Sequence, residues 1–287
     1  MKQVPDINFK RQTHWQGVEI VDLQELLSIR REQLDHDPIL PHRLNFFLII
    51  MIEKGSVRHS VEFTEYELEA GDCLFIAKGQ IHAFDAKRAY HGKLILYTEA
   101  FLHQHFTPSA IANISWLYHY FAFSPKHTHP EAVADLLRDL GQFAKRGEPY
   151  IENLIGAVLT IFMLRLRRQK SENHEESQTK AYQHFIRFKR LVEQDFRQSR
   201  DATDYANKLL LSYKHLNTIC KKIAGKTAKA YIDAFVMLEA KRLLLATDST
   251  AQEIAFACGF AEATNFQKFF KRHSQQTPIE FRQSKGG

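Results

Sequence analysis

The 287-residue chain is 44% hydrophobic and 25% charged. That excludes a disordered chain and fits about two domains. The net charge of +6 is unevenly placed: residues 181–287 hold 18 Lys/Arg against 10 Asp/Glu, and residues 1–180 hold 21 against 23. A basic final third on a near-neutral remainder points to a nucleic-acid reader joined to a sensing or assembly domain.

The N-terminal residues "MKQVPDINFKRQTHW" contain no apolar core of a signal peptide. The longest apolar run, Leu154–Leu164, is too short to span a bilayer, and Arg165, Arg167 and Arg168 follow it. A cytoplasmic protein without a membrane segment is expected. Cys73, Cys220 and Cys258 sit in apolar runs with no C-x-x-C pair. They read as buried hydrophobes in a reducing compartment.

Leu44–Phe84 reads as short strands. "FFLIIMI", Phe46–Ile52, is apolar without alternation, which suits a strand buried on both faces, and Glu53-Lys54-Gly55 ends it. "VRHSVEF", Val57–Phe63, alternates by two. The turn Ala70-Gly71-Asp72 leads into "CLFIA", and Lys78-Gly79-Gln80 leads into Ile81–Phe84. Strands with turns this close together predict a small barrel or sandwich.

Two helices follow. Ala132, Val133, Leu136, Leu137, Leu140 and Phe143 have helical spacing, as do Leu154, Ile155, Val158, Leu159, Phe162 and Leu166. The second is apolar on more than one side, which suits ordinary core packing or a dimer interface, and the interface reading places Val158 and Phe162 at it. "QKSENHEESQTK", Gln169–Lys180, is polar throughout and reads as a linker. The predicted organisation is a domain of residues 1–168, with a barrel over about 10–125 and helices over about 130–168. The linker 169–180 and a basic domain of residues 181–287 complete it.

The last domain carries one pattern twice, "YANKLLLSYKHLNTICKKIAGKT" and "IAFACGFAEATNFQKFFKRHSQQT". Leu216, Ile219, Cys220 and Thr227 match Phe266, Phe269, Phe270 and Thr277 at an offset of fifty residues. Ala206 matches Ala255 at forty-nine, so the turns differ by one residue. Each copy reads as short helix, tight turn, second helix. In the second copy Gly259 supplies positive φ, and Phe260 turns into the core. The helix after it is expected to bury Phe266, Phe269, Phe270 and His273 and to expose Thr264, Gln267, Lys268, Lys271 and Arg272. In the first copy Ser212 caps Tyr213–Ile223, which buries Leu216, Ile219, Cys220 and Ile223 and exposes Lys214, Asn217, Thr218, Lys221 and Lys222. Gly225 ends it. This is the helix-turn-helix plan, and the helix former-rich Ala230–Ala246 between the copies holds two reading helices for successive major grooves.

Ala240-Lys241-Arg242-Leu243-Leu244, Ile254-Ala255, Gly259-Phe260, Phe266, Phe269-Phe270-Lys271, Thr277-Pro278 and Phe281-Arg282 together closely resemble the AraC-type transcriptional regulators. "PHRLNFF", Pro41–Phe47, and "LEAGDCLFIAKGQIHAF", Leu68–Phe84, resemble that family's N-terminal domain more loosely. The resemblance implies an α+β two-domain protein: a cupin-like β-barrel with trailing helices, then an all-α, seven-helix double helix-turn-helix domain. It implies base reading by Lys214, Asn217 and Thr218 in the first copy and by Ala263, Thr264, Gln267 and Lys268 in the second. Asn217 and Gln267 have the donor–acceptor pair for adenine, and Lys268 suits guanine. Ser212, Lys221, Lys222, Lys271 and Arg272 are expected at phosphates.

The expected function is a sequence-specific, DNA-binding transcription regulator. Partners are promoter DNA, RNA polymerase, a second subunit and an effector of unknown identity in the barrel, near His42, Phe47 and His82. Activation is implied by the resemblance. Two other readings are a metal-dependent cupin enzyme fused to a DNA-binding module, and a regulator controlled by oligomerisation without an effector. The enzyme needs clustered histidines and a carboxylate. His42 has no histidine two residues on, and His127-Thr128-His129 reads as a loop between Pro125 and Pro130. There is no G-x-S-x-G and no phosphate-cradling glycine loop. No catalytic residue, metal or cofactor is expected.

Overall fold

The computed structural model describes residues 4–10, 15–28, 36–85, 90–114, 117, 124–146, 150–170 and 180–285. The chain divides into two compact units, one built on Pro5–His174 and one on Glu175–Gly287. The predicted linker lies mostly outside the described residues.

The first unit contains β1 (Asp6–Ile7), β2 (Val18–Asp22), α1 (Leu23–Ser28), β3 (His42–Leu44), β4 (Phe47–Lys54), β5 (Ser56–Val61), β6 (Thr64–Glu69), β7 (Asp72–Ile76), β8 (Ile81–Ala83) and β9 (His91–Tyr97). Then come α2 (Glu99–His105), α3 (Pro108–Ile114), β10 (Lys126–Thr128), α4 (Pro130–Arg146) and α5 (Ile151–Lys170). The strands form two five-stranded sheets, ordered β1-β3-β8-β5-β6 and β10-β7-β4-β9-β2. All pairs are antiparallel except β1–β3.

Leu44, Val57, Val61 and Leu68 of the first sheet share one apolar interior with Leu48, Ile50, Leu74 and Ile76 of the second. The second sheet turns its other side to the helices, where Ile49, Met51, Phe75 and Tyr97 meet Phe101, Leu136, Ile155 and Leu159. β4 is therefore buried on both faces, which is why its sequence shows no alternation.

Three strands depart from the sequence reading. β5 stops at Val61 because Glu62 and Phe63 take φ of 48° and 67°. Two central residues at positive φ make the tight turn that starts β6. β6, "TEYELE", is mostly exposed, and its acidic composition hides it. His127-Thr128-His129 is not a loop: Lys126–Thr128 forms edge strand β10, with His127 opposite Cys73. Asp72 secures that edge by accepting from the Thr128 hydroxyl (2.5 Å) and pairing with Lys126 (2.9 Å).

Among the described residues the second unit has seven helices: α6 (Lys180–Asp195), α7 (Ala202–Lys208), α8 (Tyr213–Ala224), α9 (Ala228–Ala246), α10 (Ala251–Ala257), α11 (Ala263–Ser274) and α12 (Pro278–Lys285). Asp201, Ser212, Thr227 and Thr250 cap four of them by accepting from first-turn N–H groups. α9 runs unbroken for 19 residues, about 28 Å. Tyr231, Ile232, Phe235, Val236, Leu238, Ala240, Leu244 and Leu245 bury it on every side. It packs against α6, α7 and α8 of the first half and α10 and α12 of the second. Arg282 fixes α12 to the end of α9, donating to the carbonyls of Leu244 (2.8 Å), Thr247 (3.2 Å) and Ser249 (2.6 Å).

Candidate nucleic-acid interface and histidine cluster

Both turns close by the same bonds. Leu211 N donates to Ala206 O and Phe260 N to Ala255 O, each at 2.9 Å, the six-residue closure of a Schellman motif. Gly259 stands at φ 78° and Leu210, its counterpart, at φ 58°. The extra residue of the second copy is therefore Ala261, between the closed turn and the helix cap. Phe260 is buried against Phe266 (5.3 Å) and Phe269 (5.2 Å), with the Arg200 guanidinium 3.6 Å from its ring centre. Burial there holds the Arg200 pKa below its ordinary value.

α8 buries Leu216, Ile219 and Cys220 and exposes Lys214, Thr218, Lys221 and Lys222. Ile223, expected inside, is half-buried. Asn217 is also half-buried, and its Oδ1 accepts from Ala228 N at 2.9 Å. The Thr218 hydroxyl donates to Lys214 O (3.0 Å), and Ser212 Oγ accepts from His215 N (3.2 Å).

α11 buries Phe266, Phe269 and Phe270 and exposes Thr264, Gln267, Lys268, Lys271 and Arg272. Ala263 is half-buried at its first position. His273, expected in the core, is exposed: its ring lies tilted against Phe269 (4.6 Å) and stands 4.0 Å from Asp233. Partial burial lowers its pKa, against the pull of Asp233. Tyr213, His215 and Asn265 are exposed beside the named residues. The helical period that located the others would also have found them.

Residues 205–284 match the helix-turn-helix domain model. Residues 29–185 match the model of the AraC-like ligand binding domain, more than half of the chain. The chain belongs to the AraC family of transcription regulators.

Among relatives of this AraC-family chain is the HTH-type transcriptional activator RhaS of Escherichia fergusonii. It is 23% identical over 288 residues, covering 95% of this chain and 98% of the relative. RhaS of Pectobacterium carotovorum is 21% identical, covering 84% and 86%. Among solved structures, ToxT of Vibrio cholerae aligns over 88% of this chain and 93% of its own at 14% identity, with a TM-score of 0.46.

In the N-terminal unit the strands gather histidines the sequence scatters. β3 pairs with β8, placing His42 opposite His82, and β5 pairs with β8, placing Val61 opposite His82 and His59 two residues away on the same side. His42, His59 and His82 are each at most 2% exposed. Ring centres are 4.1 Å apart for His42–His82 and 5.2 Å for His59–His82, and the His36 ring lies tilted against His42 at 4.4 Å. His59 Nε2 and His82 Nδ1 share a 3.0 Å hydrogen bond, and His42 Nδ1 bonds Leu40 O (2.9 Å). His82 Nε2 is buried without a partner. Burial pushes the pKa of His42 down to about 4 and that of His59 to about 3, and holds His82 well below the usual value. Among the described residues no group of three His, Cys, Asp or Glu converges as a metal site.

Phe47 does not join this cluster. Strand alternation turns it to the helix-facing side, where it stacks on Tyr97 at 5.4 Å. The dimer expectation also needs correcting. Phe162 is core, 2% exposed and stacked on Phe75 (6.3 Å), and Val158 is half-buried against the same cluster. The exposed apolar residues of α5 are Ala157, Ile161 and Leu164, with Ile161 53% exposed. Burial raises the pKa of all three cysteines, to about 12 for Cys220 and Cys258, so none is a ready nucleophile. No helix among the described residues is long and apolar enough to cross a membrane.

Proposed function

We propose that this chain is a cytoplasmic, homodimeric transcription activator whose action at a promoter is set by a small effector held in the N-terminal unit. The observation that carries this reading is the pair of basic outward faces joined through one unbroken helix, α9. Each subunit lays α8 and α11 in successive major grooves, about 34 Å apart on one side of the duplex. Base edges are met from outward N-terminal residues of the reading helices, Thr264, Gln267 and Lys268 of α11 among them. Lys221, Lys222, Lys271 and Arg272 hold phosphates and make affinity fall steeply with salt. The names of the RhaS relatives support a regulator that activates and is not an enzyme. The unpartnered His82 Nε2 supports an effector contact at His42, His59 and His82. Effector binding shifts how the DNA-binding units engage promoter and RNA polymerase.

The test is binding of the full-length protein to the DNA upstream of its own coding region, at two salt concentrations and against excess unrelated DNA. The Thr264→Ala/Lys268→Ala variant should lose about 1–3 kcal/mol per base contact. Equal, weak binding by both proteins would remove α11 from base reading at that site.

Subunit pairing runs along α5. Leu154, Ala157, Ile161 and Leu164 follow one another at intervals of three, four and three residues, the spacing of a coiled-coil seam. Ile161→Glu should sediment as a folded monomer. A persistent dimer would place the interface elsewhere. Phe162→Glu should instead unfold the unit, because it places a charge in the core.

A further inference from the structure

The two reading helices differ in what their polar side chains are already doing. Each is followed by a capped helix start: Thr227-Ala228 opens α9 after α8, and Thr277-Pro278 opens α12 after α11. These pairs lie fifty positions apart, the same offset that relates Asn217 to Gln267. In the first copy Asn217 Oδ1 accepts the Ala228 N–H. In the second copy the corresponding residue is proline, which has no N–H. Gln267 has nothing to satisfy there and is exposed.

The same contrast repeats at two more positions. The Thr218 hydroxyl is turned back onto the Lys214 carbonyl, and its counterpart is the exposed Lys268. Ser212 caps α8 through His215 N, whereas its counterpart, Glu262, makes no side-chain cap bond. An asparagine reads adenine only by presenting its carbonyl and its amide together. Asn217 is half-buried with its carbonyl fixed on the Ala228 N–H, and swinging the side chain out to a base edge would orphan that buried donor at a cost comparable to what a bidentate base contact gains. Gln267 faces no such cost.

We infer that base discrimination is carried by α11, through Thr264, Gln267 and Lys268, and that α8 is a fixed, positively charged support. This rests on the DNA-reading function proposed above. Asn217 is a positioning residue that locks α8 to the start of α9. Lys214 is the member of α8's predicted reading set whose side chain makes no described bond, and with Lys221 and Lys222 it supplies charge at the backbone of the duplex.

The experiment is selection of bound duplexes from a random pool by the full-length protein, followed by base-by-base scoring of the enriched motif. The wild type should yield a motif whose informative bases cluster under one helix. Gln267→Ala should keep the wild-type melting temperature and flatten the preference at one or two adjacent base pairs by about 5- to 100-fold. Asn217→Ala should keep the motif, bind all sequences more weakly and melt lower. Asn217→Asp retains an acceptor for the Ala228 N–H but lacks the amide donor an adenine needs, so it should restore melting and also keep the motif. A changed base in the Asn217→Asp motif would overturn the inference, as would two equally informative halves in the wild-type motif. A wild type that enriches no motif would remove the DNA-reading proposal itself, and this inference with it.

Discussion

Below pH 6.5 the N-terminal unit should lose stability steeply. His42, His59 and His82 are neutral when folded because burial penalises their charged forms. The charged or titratable groups facing them are His36, which opposes protonation of His42 and His82, and Asp37, which favours that of His42. In the unfolded chain each histidine takes up a proton near pH 6.5. From there down to about 4 for His42 and about 3 for His59, the unfolded state binds protons that the native state refuses. Each such group removes about 1.4 kcal/mol per pH unit, so the three together remove on the order of several kcal/mol between pH 6.5 and 5. Total stabilities of about 5–15 kcal/mol cannot absorb much more.

Asp22 and Asp72 act in a different window. Burial opposes their ionisation, but Lys93 with the Gln24 and Glu25 amides, and Thr128 with Lys126, hold both pKa values below 3.8. Their contribution is lost only as pH falls through and below that value. Trp15 packs against the helix-facing core of this unit, so tryptophan fluorescence follows its unfolding. Urea midpoints should fall between pH 7 and 5, and less steeply in His59→Gln, which stays neutral throughout. Midpoints that do not move over that range would show that the cluster accepts protons without cost.

At the two turns, opposite substitutions should have opposite signs. Gly259 is at φ 78°, and a Cβ there would come within 2.2 Å of the Arg197 carbonyl oxygen. Gly259→Ala therefore meets the left-handed penalty of about 1–2 kcal/mol and an overpacking cost of about 1–3 kcal/mol against backbone that cannot turn aside. Leu210 already bears the left-handed penalty, with its side chain 93% exposed and no packing in return. Leu210→Gly relieves that penalty, and glycine's extra chain entropy, about 0.5–1 kcal/mol, takes part of the gain back. A net gain of about 0.5–1 kcal/mol is expected. Melting followed by far-ultraviolet circular dichroism should show the loss for Gly259→Ala and the gain for Leu210→Gly. A Leu210→Gly protein less stable than the wild type would mean that glycine's chain entropy outweighs the relieved strain.

Much of the DNA-binding unit was legible because its signals are local. A glycine after an apolar helix end, Ser212 before an amphipathic run and the threonines ahead of α9 and α12 act on backbone groups within a few residues. The repeat doubled those signals, and the family resemblance added the seven helices. The double burial of β4 was legible for the same reason, since absence of alternation is itself a local pattern. The register of β3, β5 and β8 was not, and it brought His59 to His42 and His82, while the packing of the helices on the second sheet made the Phe47 side of β4 the helix-facing one. Nor did the apolar sides of α5 reveal which one was core: packing of the second sheet against Phe162 rather than Ile161 decided that. Nor does the sequence show that the Asn217 carbonyl already accepts an N–H, that of Ala228 eleven residues later. Sequence determined where the backbone turns and which helices are amphipathic, because these depend on residues in the same turn or cap. Tertiary structure decided which side faces inward and which polar groups are already occupied, because those depend on partners that only the packed chain brings within hydrogen-bonding reach.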